Sequence, residues 1–393
     1  MSFYTDAYIN SQSDQEIARW WATHTRLGWH PKTGDGFYVP DEDRPSSVHI
    51  TGNPGNGKSA LTENIIAQDC EKGAVIFIDP HADSVSNIVG RLPEDLLPRT
   101  RVIDVTVEAY PIGLNPLAIR RPQTSLEFTQ AVDSLMYIVE VIWPQSLGQQ
   151  HLPLFIRSSV IALLSNPGTS LLDVPRLLRD EIFRQKLVAN VQDSSVREFF
   201  AEYDRLTPAL QLQRTEPLTT RLGAMLMGRP LIRNIIGQAQ NTIDFRKAIE
   251  AKEILLIKLP VKVLKQDAQL LGVIIMSLIH QAIFSFADTA PERRPGVSLV
   301  VDEFQNFVSP TFAELLTESR KFAAKTTIIH QQLAQLSQYL QDATATARTH
   351  VVFQSTLDDS KTLAGYFPHA ETTVRPEDLE ADVIKHLLTK GAL

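Results

Sequence analysis

The sequence predicts an α/β fold in which a mainly parallel central sheet carries an inserted all-α domain. Apolar runs of about five residues alternate with helical stretches, which is the pattern of parallel strands buried on both faces. These runs lie at 47–51, 74–78, 101–105, 254–257, 297–301, 326–330 and 349–353. Between 122 and 240 the helical spacing continues without a convincing strand, so the sheet is predicted to be interrupted there.

The composition is that of a globular protein in a reducing compartment. The chain has 393 residues, of which 43% are apolar and 21% are charged, and both fractions are ordinary for globular domains. The one cysteine, Cys70, excludes an internal disulfide, and we expect it to be a buried apolar group rather than a reactive thiol. The net charge of −7 argues against a protein whose whole surface binds nucleic acid, although it allows a local basic lining.

The chain divides into three predicted parts. Residues 1–45 form a lead segment, in which we expect a short helix at 17–21 and a hairpin over 28–40. The sheet-forming domain occupies 46–121 and 241–393, and the all-α insertion occupies 122–240. In the first predicted helix of the insertion, apolar residues recur at spacings of three and four, at Phe128, Val132, Leu135, Val139 and Ile142.

A glycine-rich stretch between the first strand and the helix after it reads G-x-x-x-x-G-K-S, and this is the context that a phosphate-binding loop needs. Glycines let the backbone approach a ligand closely, and the N–H groups of the loop and of the helix start point at one position. Lys58 adds a positive charge, and the Ser59 hydroxyl is a ligand for Mg²⁺. The alternative is an ordinary glycine turn. We predict that ATP binds at Gly52, Asn53, Pro54, Gly55, Asn56, Gly57, Lys58, Ser59 and Ala60.

The most apolar stretch, at 270–287, resembles a membrane span in length. Polar residues interrupt it at Ser277, His280, Gln281 and Ser285. We therefore expect a buried helix of the fold, and no transmembrane segment. We also expect no signal peptide, because the N-terminus has neither a basic start nor an apolar run.

Two acidic residues, Asp302 and Glu303, follow the apolar strand at 297–301. This is the Walker B pattern, in which the first carboxylate holds Mg²⁺ opposite Ser59 and the second orients and deprotonates the attacking water. We assign these two roles to Asp302 and Glu303. The alternative is a solvated strand end, because apolar strands often end in acidic residues.

An acid pair after this strand is similar to that of the RecA-like (ASCE) P-loop NTPases. That group places an extra strand between the phosphate-loop strand and the Walker B strand, and a polar residue at its end contacts the γ-phosphate. Here the strand at 326–330 ends at Gln331, which is therefore the predicted γ-phosphate sensor. The alternative is that Gln331 caps the next helix.

Three segments together resemble the FtsK–HerA superfamily of DNA-pumping ATPases: VVDEF at 300–304, ESRK at 318–321 and QQLAQL at 331–336. The most similar branch is the conjugative coupling proteins of type IV secretion. The inserted helical region also resembles that branch, as do three further segments, at 78–80, 113–117 and 241–245. The resemblance covers most of residues 45–367.

This resemblance implies a Mg²⁺-dependent ATPase that assembles as a homo-hexameric ring, with ATP between subunits and DNA in the central channel. It also implies an arginine finger eleven residues before the sensor glutamine, which places the finger at Arg320, acting on the neighbouring subunit. Such a guanidinium stabilises transition-state charge and is worth ~10³–10⁵ in rate. Arg348 and Arg294 are weaker candidates, and the alternative for Arg320 is a solvated arginine on an amphipathic helix.

The expected function is ATP hydrolysis that drives the translocation of single- or double-stranded DNA, gripped by its phosphate backbone with little sequence specificity. Candidate contacts are Lys262, Lys265 and Lys325. Secretion-system or relaxosome proteins are candidate partners, at a cytoplasmic location or peripheral to the inner membrane. Two alternatives stay open: a type IV secretion ATPase that acts on protein cargo, and a HerA-like DNA-processing or defence ATPase. Glu303 and Arg320 argue against a nucleotide switch with little turnover.

Overall fold

The strands of the chain form a hairpin and one large sheet in the computed structural model, which describes residues 13–29, 36–118, 123–142, 151–307, 310–365 and 386–389. The hairpin consists of β1 (His24–Trp29) and β2 (Gly36–Pro40). The sheet consists of β3 (Val48–Thr51), β4 (Ala74–Asp79), β5 (Thr100–Asp104), β6 (Ile254–Lys258), β7 (Val297–Val301), β8 (Ala324–His330), β9 (Thr349–Val352) and β10 (His386–Thr389). The two strands pair in antiparallel fashion, as predicted, and the first begins earlier, at His24. The predicted turn between them, at 30–35, lies outside the described residues.

The eight-stranded sheet has the order β10-β9-β3-β8-β7-β4-β6-β5. Every neighbouring pair from β9 to β5 is parallel, and only β10 runs antiparallel, against β9. The predicted α/β fold with a mainly parallel sheet is confirmed. Strand β8 lies between β3 and β7, which is the extra strand predicted for the RecA-like class.

Sixteen α-helices lie in the described residues. They are α1 (Asp14–Thr23), α2 (Lys58–Lys72), α3 (Ser84–Val89), α4 (Leu126–Ile142), α5 (Leu152–Leu164), α6 (Val174–Arg179), α7 (Glu181–Val188), α8 (Ser194–Asp204), α9 (Pro208–Leu226), α10 (Pro230–Ile236), α11 (Phe245–Glu250), α12 (Val261–Leu264), α13 (Gln266–Phe284), α14 (Pro310–Glu318), α15 (Gln338–Ala345) and α16 (Leu357–Ala364). Helices α4 to α11 lie between β5 and β6, and no strand is found there in the described residues.

One predicted helix of the insertion is two helices in the structure. The sequence pattern predicts a continuous helix over 174–191, whereas α6 ends at Arg179 and α7 starts at Glu181. Asp180 has extended backbone angles, and its carboxylate accepts a hydrogen bond from Phe183 N at 3.0 Å. An aspartate at this position caps the start of a helix, so its local preference overrides the apolar periodicity that continues on both sides.

The two faces of the sheet bury different helices. On one face Ile76 and Ile257 share a core with residues of the inserted helices, such as Leu135 and Phe155. On the other face Phe77 packs in a second core, which includes the apolar side of α2. The inserted helices therefore pack onto the sheet, and the division into domains stays a prediction.

Hydrogen bonds join the two ends of the inserted helical region. Gly113 N donates to Thr242 Oγ1 at 2.7 Å, and Thr242 N donates to Gly113 O at 3.0 Å. Asn115 N donates to Asn241 Oδ1 at 2.5 Å. These residues belong to two of the segments that resemble coupling proteins, and here they close the insertion at its base.

Helix α13 lies inside the fold. By length and composition alone, 266–288 is the one described helical span that could cross a membrane, and 83% of its apolar window is buried. It packs against α4, α11 and α14. The burial of α13 agrees with the buried helix that the polar residues in this stretch predicted.

Three buried histidines lie side by side on β3, β8 and β9. His49 Nε2 is 2.6 Å from His330 Nε2, and His49 Nδ1 is 3.2 Å from His350 Nδ1. Burial lowers the pKa of His330 to about 4 and holds the pKa of His49 well below its ordinary value. These imidazole contacts join the three strands inside the sheet.

A fourth buried histidine, His280 on α13, gives a prediction about acid stability. Burial lowers its pKa from 6.5 to about 4. Below pH 6.5 the unfolded chain binds a proton that the folded chain accepts only near pH 4, so stability falls as pH is lowered through this window. The loss from His280 is about 2 kcal/mol between pH 7 and pH 5. His280→Phe, beside Phe284, should therefore lose less free energy of unfolding than the wild type over this interval, measured by urea denaturation. An identical loss in both proteins would contradict the assignment.

Candidate active site

The predicted phosphate loop joins the end of β3 at Thr51 to the start of α2 at Lys58. Gly52, Gly55 and Gly57 have φ angles of 148°, 81° and 98°, which side chains disfavour. The first N–H groups of a helix lack partners within it and carry the positive end of its dipole. The loop and the start of α2 therefore have the backbone chemistry of an anion-binding site.

The residues after β9 support this loop from the side. A Cβ atom on Gly52 would lie 2.6 Å from Phe353 Cβ, so no larger residue fits there without movement. Asn53 N donates to Gln354 O at 2.7 Å, and Asn56 Nδ2 donates to the same oxygen at 3.3 Å. The loop is thus hydrogen-bonded to the segment that follows the neighbouring strand β9.

The Lys58 ammonium group lies between the phosphate loop and the two acidic residues. The side chain is buried, and its Nζ donates to Gly52 O at 2.5 Å and to Asn53 O at 3.0 Å. Burial lowers the pKa of Lys58, while the charges of Glu303 and Asp302 oppose this change. The structure therefore brings Lys58, Asp302 and Glu303 together, as the two motifs predicted.

Asp302 follows β7 and is buried. Its Oδ1 accepts a hydrogen bond from Glu303 N at 2.9 Å. Burial raises the pKa of Asp302 to about 6, and the charge of Glu303 adds to the increase. A cation beside this carboxylate would reverse the increase, because an opposite charge favours the ionised form.

Both carboxylate oxygens of Glu303 accept hydrogen bonds from glutamine amides. Gln331 Nε2 donates to Oε1 and Gln305 Nε2 donates to Oε2, each at 2.6 Å. Glu303 is 6% exposed and has a φ of 45°, in the left-handed region that non-glycine residues seldom adopt. The carboxylate is therefore held in one orientation by two side chains and a strained backbone.

Gln331 stands at the end of β8 and does not cap the helix that follows. The N-cap of that 3₁₀ helix, Leu333–Gln335, is Gln332, which forms a capping box with Gln335. The amide of Gln331 instead contacts Glu303. This contact leaves the predicted sensor at the carboxyl edge of the sheet, beside the predicted base.

The donor set at this edge fits Mg²⁺ and a nucleotide. Ser59 is exposed at the second residue of α2, and Asp302 follows β7 at the same edge. One hydroxyl and one carboxylate, together with phosphate oxygens and water, are ligands that Mg²⁺ prefers. When bound, Mg²⁺ would neutralise negative charge on the phosphate oxygens.

Comparisons with known proteins find this architecture among solved structures. VirB4 of Thermoanaerobacter pseudethanolicus superposes with a TM-score of 0.58 at 16% identity, over 94% of each chain. The plasmid coupling protein TrwB in complex with the ATP analogue ADPNP gives a TM-score of 0.60 at 15% identity, over 94% of this chain and 87% of TrwB. The chain has the fold of VirB4 and TrwB. No family model matches the chain, and no curated protein matches its sequence.

The shared fold confirms the RecA-like class predicted from the sequence, and the resemblance to conjugative coupling proteins is confirmed at the level of the fold. TrwB has been solved with ADP and Mg²⁺ as well as with ADPNP. In this chain the residues predicted for these ligands occur at the carboxyl edge of the sheet, which is where doubly wound folds bind ligands.

Arg320 and the phosphate loop of the same subunit lie at opposite ends of the parallel strands. Arg320 lies at the amino ends, and the loop lies at the carboxyl ends. It belongs to the 3₁₀ turn Ser319–Phe322, which precedes β8, whereas the loop follows the parallel neighbour β3. The seven residues of β8 span roughly 20 Å, farther than an arginine side chain reaches. The Arg320 side chain is exposed, and within the described residues no hydrogen bond or ion pair holds it. A finger role is therefore open to Arg320 only across a subunit interface.

The two weaker finger candidates are occupied within the chain. Arg348 Nη2 pairs with Asp43 Oδ1 at 3.0 Å. Arg294 Nε donates to the carbonyl oxygens of Phe286 at 3.1 Å and Thr289 at 2.9 Å. These contacts hold the fold together, so the geometry favours Arg320 over both.

The sequence motifs did not reveal three residues of the site: Gln305, Phe353 and Gln354. Gln305 lies two residues after Glu303, but no spacing rule marks a glutamine there as a partner of the base. Phe353 and Gln354 reach the phosphate loop only because β9 pairs with β3. The signal that could have found them is the strand order, which the residue pattern alone does not give.

Proposed function

We propose that the chain hydrolyses ATP to ADP and phosphate in a Mg²⁺-dependent reaction. The observation that carries this proposal is the meeting of Lys58, Asp302 and Glu303 at the carboxyl edge of the sheet, beside a glycine loop that ends in a helix start. Phosphoryl transfer to water depends mainly on positioning and on charge stabilisation, and this arrangement supplies both.

Each residue has a defined part in the proposed reaction. The loop N–H groups and Lys58 bind the β- and γ-phosphates. Ser59 and Asp302 would hold the Mg²⁺ ion. Glu303 orients the attacking water and accepts its proton. Gln331, hydrogen-bonded to Glu303, would contact the γ-phosphate.

We propose further that hydrolysis moves DNA through a homo-hexameric ring, as in a conjugative coupling protein. The fold shared with the plasmid coupling protein TrwB supports this proposal. The position of Arg320 also supports a ring. This exposed arginine is too far from the phosphate loop of its own subunit, so it can act only in the site of a neighbouring subunit. Partners would be secretion-system or relaxosome proteins, at a cytoplasmic site or at the inner membrane surface.

The candidate DNA contacts separate into two groups in the structure. Lys325 Nζ pairs with Asp41 Oδ2 at 2.8 Å, at the amino ends of the strands. Because Asp41 neutralises its charge, Lys325 is the weaker candidate for a DNA contact. Lys262 and Lys265 are exposed around α12, which follows β6 at the carboxyl edge, and Val263 between them is 71% exposed. Among the described residues no ion pair holds either ammonium group, and two such groups beside an apolar side chain suit a phosphate backbone.

We expect DNA to stimulate ATP hydrolysis at low salt, and the double variant Lys262→Glu/Lys265→Glu to lose most of this stimulation while it keeps the basal rate. Each phosphate contact that is lost also lowers the salt dependence of binding. The measurement is the ATPase rate with and without single- and double-stranded DNA, alongside the native mass of the particle. The matched control is Lys186→Glu, an exposed lysine on α7, which should retain full stimulation.

An assembled ring whose rate does not respond to DNA would contradict the DNA motor and favour a secretion ATPase that acts on protein. This second candidate has its own support in the net charge of −7 and in the fold shared with VirB4. A HerA-like DNA-processing or defence ATPase would respond to DNA but would require a partner nuclease for its function.

A further inference from the structure

The described part of the lead segment, extended here to Ser47 (residues 24–29 and 36–47), contacts the far end of the phosphate-loop helix α2. Arg44 forms a two-pronged ion pair with Asp69, in which Nη2 donates to Oδ2 at 2.7 Å and Nη1 donates to Oδ1. Both side chains are almost completely buried. Gln68 adds two hydrogen bonds to the backbone of Arg26, at 2.9 and 3.0 Å. The lead segment is thus fixed to the last turns of α2.

The same segment contacts the chain on both sides of Arg320. Ser47 Oγ donates to Leu316 O at 3.1 Å, and Ser319 Oγ donates to Pro45 O at 2.9 Å. Lys325 Nζ pairs with Asp41 Oδ2 at 2.8 Å. The short stretch 41–47 therefore makes three contacts with residues before and after Arg320 in the chain. None of these contacts involves the Arg320 guanidinium.

Asp41 joins the two sets of contacts. Its carboxylate pairs with Lys72 of α2 at 3.0 Å and with Lys325 of β8 at 2.8 Å, and it accepts a hydrogen bond from Thr25 Oγ1 at 2.8 Å. The cations around it, Lys325 foremost, outweigh the effect of burial and lower the pKa of Asp41 to about 2. It is therefore charged over the whole physiological range.

We propose that the lead segment is a positioning element, which holds the Arg320 turn in fixed relation to the phosphate-loop helix of the same subunit. Helix α2 has 15 residues and starts at the phosphate loop. It is about 22 Å long, so it is a rigid connection between that loop and the end of the sheet where Arg320 lies. Asp41 and Arg44 connect its end to the turn. The inference rests on the proposed function, because it gives Arg320 the finger role.

The reason for such an element is geometric. A finger acts only when its guanidinium sits against the transferred phosphoryl group, and a displacement of about 1 Å can cost 10²-fold in rate. Arg320 itself is exposed and lies in a short 3₁₀ turn, which has poorer hydrogen bonds than an α-helix. Contacts from outside the turn must therefore supply the precision.

The test compares Asp41→Asn with Arg320→Ala in the assembled enzyme, well below the melting temperature. We expect Asp41→Asn to lower kcat about 10- to 100-fold with an unchanged KM for ATP, and Lys325→Gln to act in the same direction. In an Arg320→Ala background Asp41→Asn should lower kcat no further, because a positioning residue has nothing left to position. The control is Asp133→Asn, which removes an exposed ion pair with Arg157 in the inserted helices and should leave kcat unchanged.

The outcomes separate the inference from the function on which it rests. A slow Arg320→Ala enzyme with a normal Asp41→Asn enzyme would overturn the positioning role alone. Equal losses from Asp41→Asn in both backgrounds would overturn it too, since a general structural defect acts without Arg320. A normal Arg320→Ala enzyme would overturn the finger and the inference together.

Discussion

Glu303→Gln is expected to bind ATP with near-normal affinity and to hydrolyse it about 10²–10⁴-fold more slowly, the usual contribution of a general base. Glutamine has the shape of glutamate but cannot accept the proton of the attacking water. It also retains one acceptor oxygen for the two amides, Gln331 and Gln305, that hold the native carboxylate. Single-turnover hydrolysis and nucleotide titration would measure the two properties separately.

Two further variants make this test specific. Lys58→Ala should lose nucleotide binding itself, because the variant removes the charge between the loop and the acid pair. Gln305→Ala keeps the base and removes one of its two hydrogen-bond donors, so we expect a smaller loss of rate than from Glu303→Gln. Near-normal turnover by Glu303→Gln would show that Glu303 is not the base.

Arg320→Ala is expected to reduce kcat in the assembled enzyme by ~10³-fold or more, with little change in the affinity for ATP. The arginine would stabilise charge that appears only in the transition state, so its loss should spare ground-state binding. The neighbouring Lys321→Ala is the matched control, because Lys321 is exposed and pairs only locally, with Glu318. Its kcat should stay near that of the wild type.

Mixing two inactive proteins would show whether Arg320 acts across the interface. In a ring built from Glu303→Gln and Arg320→Ala subunits, some sites combine an intact Glu303 with an intact Arg320 from the neighbour. A mixture should therefore recover part of the activity that neither protein has alone. Absence of recovery in rings shown to contain both subunits would refute the assignment in trans.

The parts of the site that sequence could predict are the local ones. The phosphate loop and the acid pair each lie within a few consecutive residues, and the backbone chemistry of a strand, a turn and a helix start is sufficient to assign them. Gln331 required one further step, the position of β8 between β3 and β7, and the structure shows that order. Its proposed contact with the γ-phosphate stays a prediction.

The parts that sequence missed depend on which distant elements become neighbours. Phe353 contacts Gly52 because β9 adjoins β3, and nothing in the run of apolar residues at 349–353 specifies that pairing. Lys325 was a candidate DNA contact on account of its charge, whereas the folded chain places Asp41 beside it. The sequence alone does not show which acidic residue will pair with a given lysine in the folded chain.

The position of β3 also determines when the proposed nucleotide site can form during synthesis. His49 on β3 contacts residues that lie 281 and 301 positions further along the chain, on β8 and β9. Ribosomes add ~5–20 residues per second, so the strand that carries the phosphate loop waits, on the order of tens of seconds, for either neighbour. A nascent chain cut off before β8 would contain the complete loop sequence without the two strands that hold it in place. ATP binding would therefore distinguish finished chains from unfinished ones.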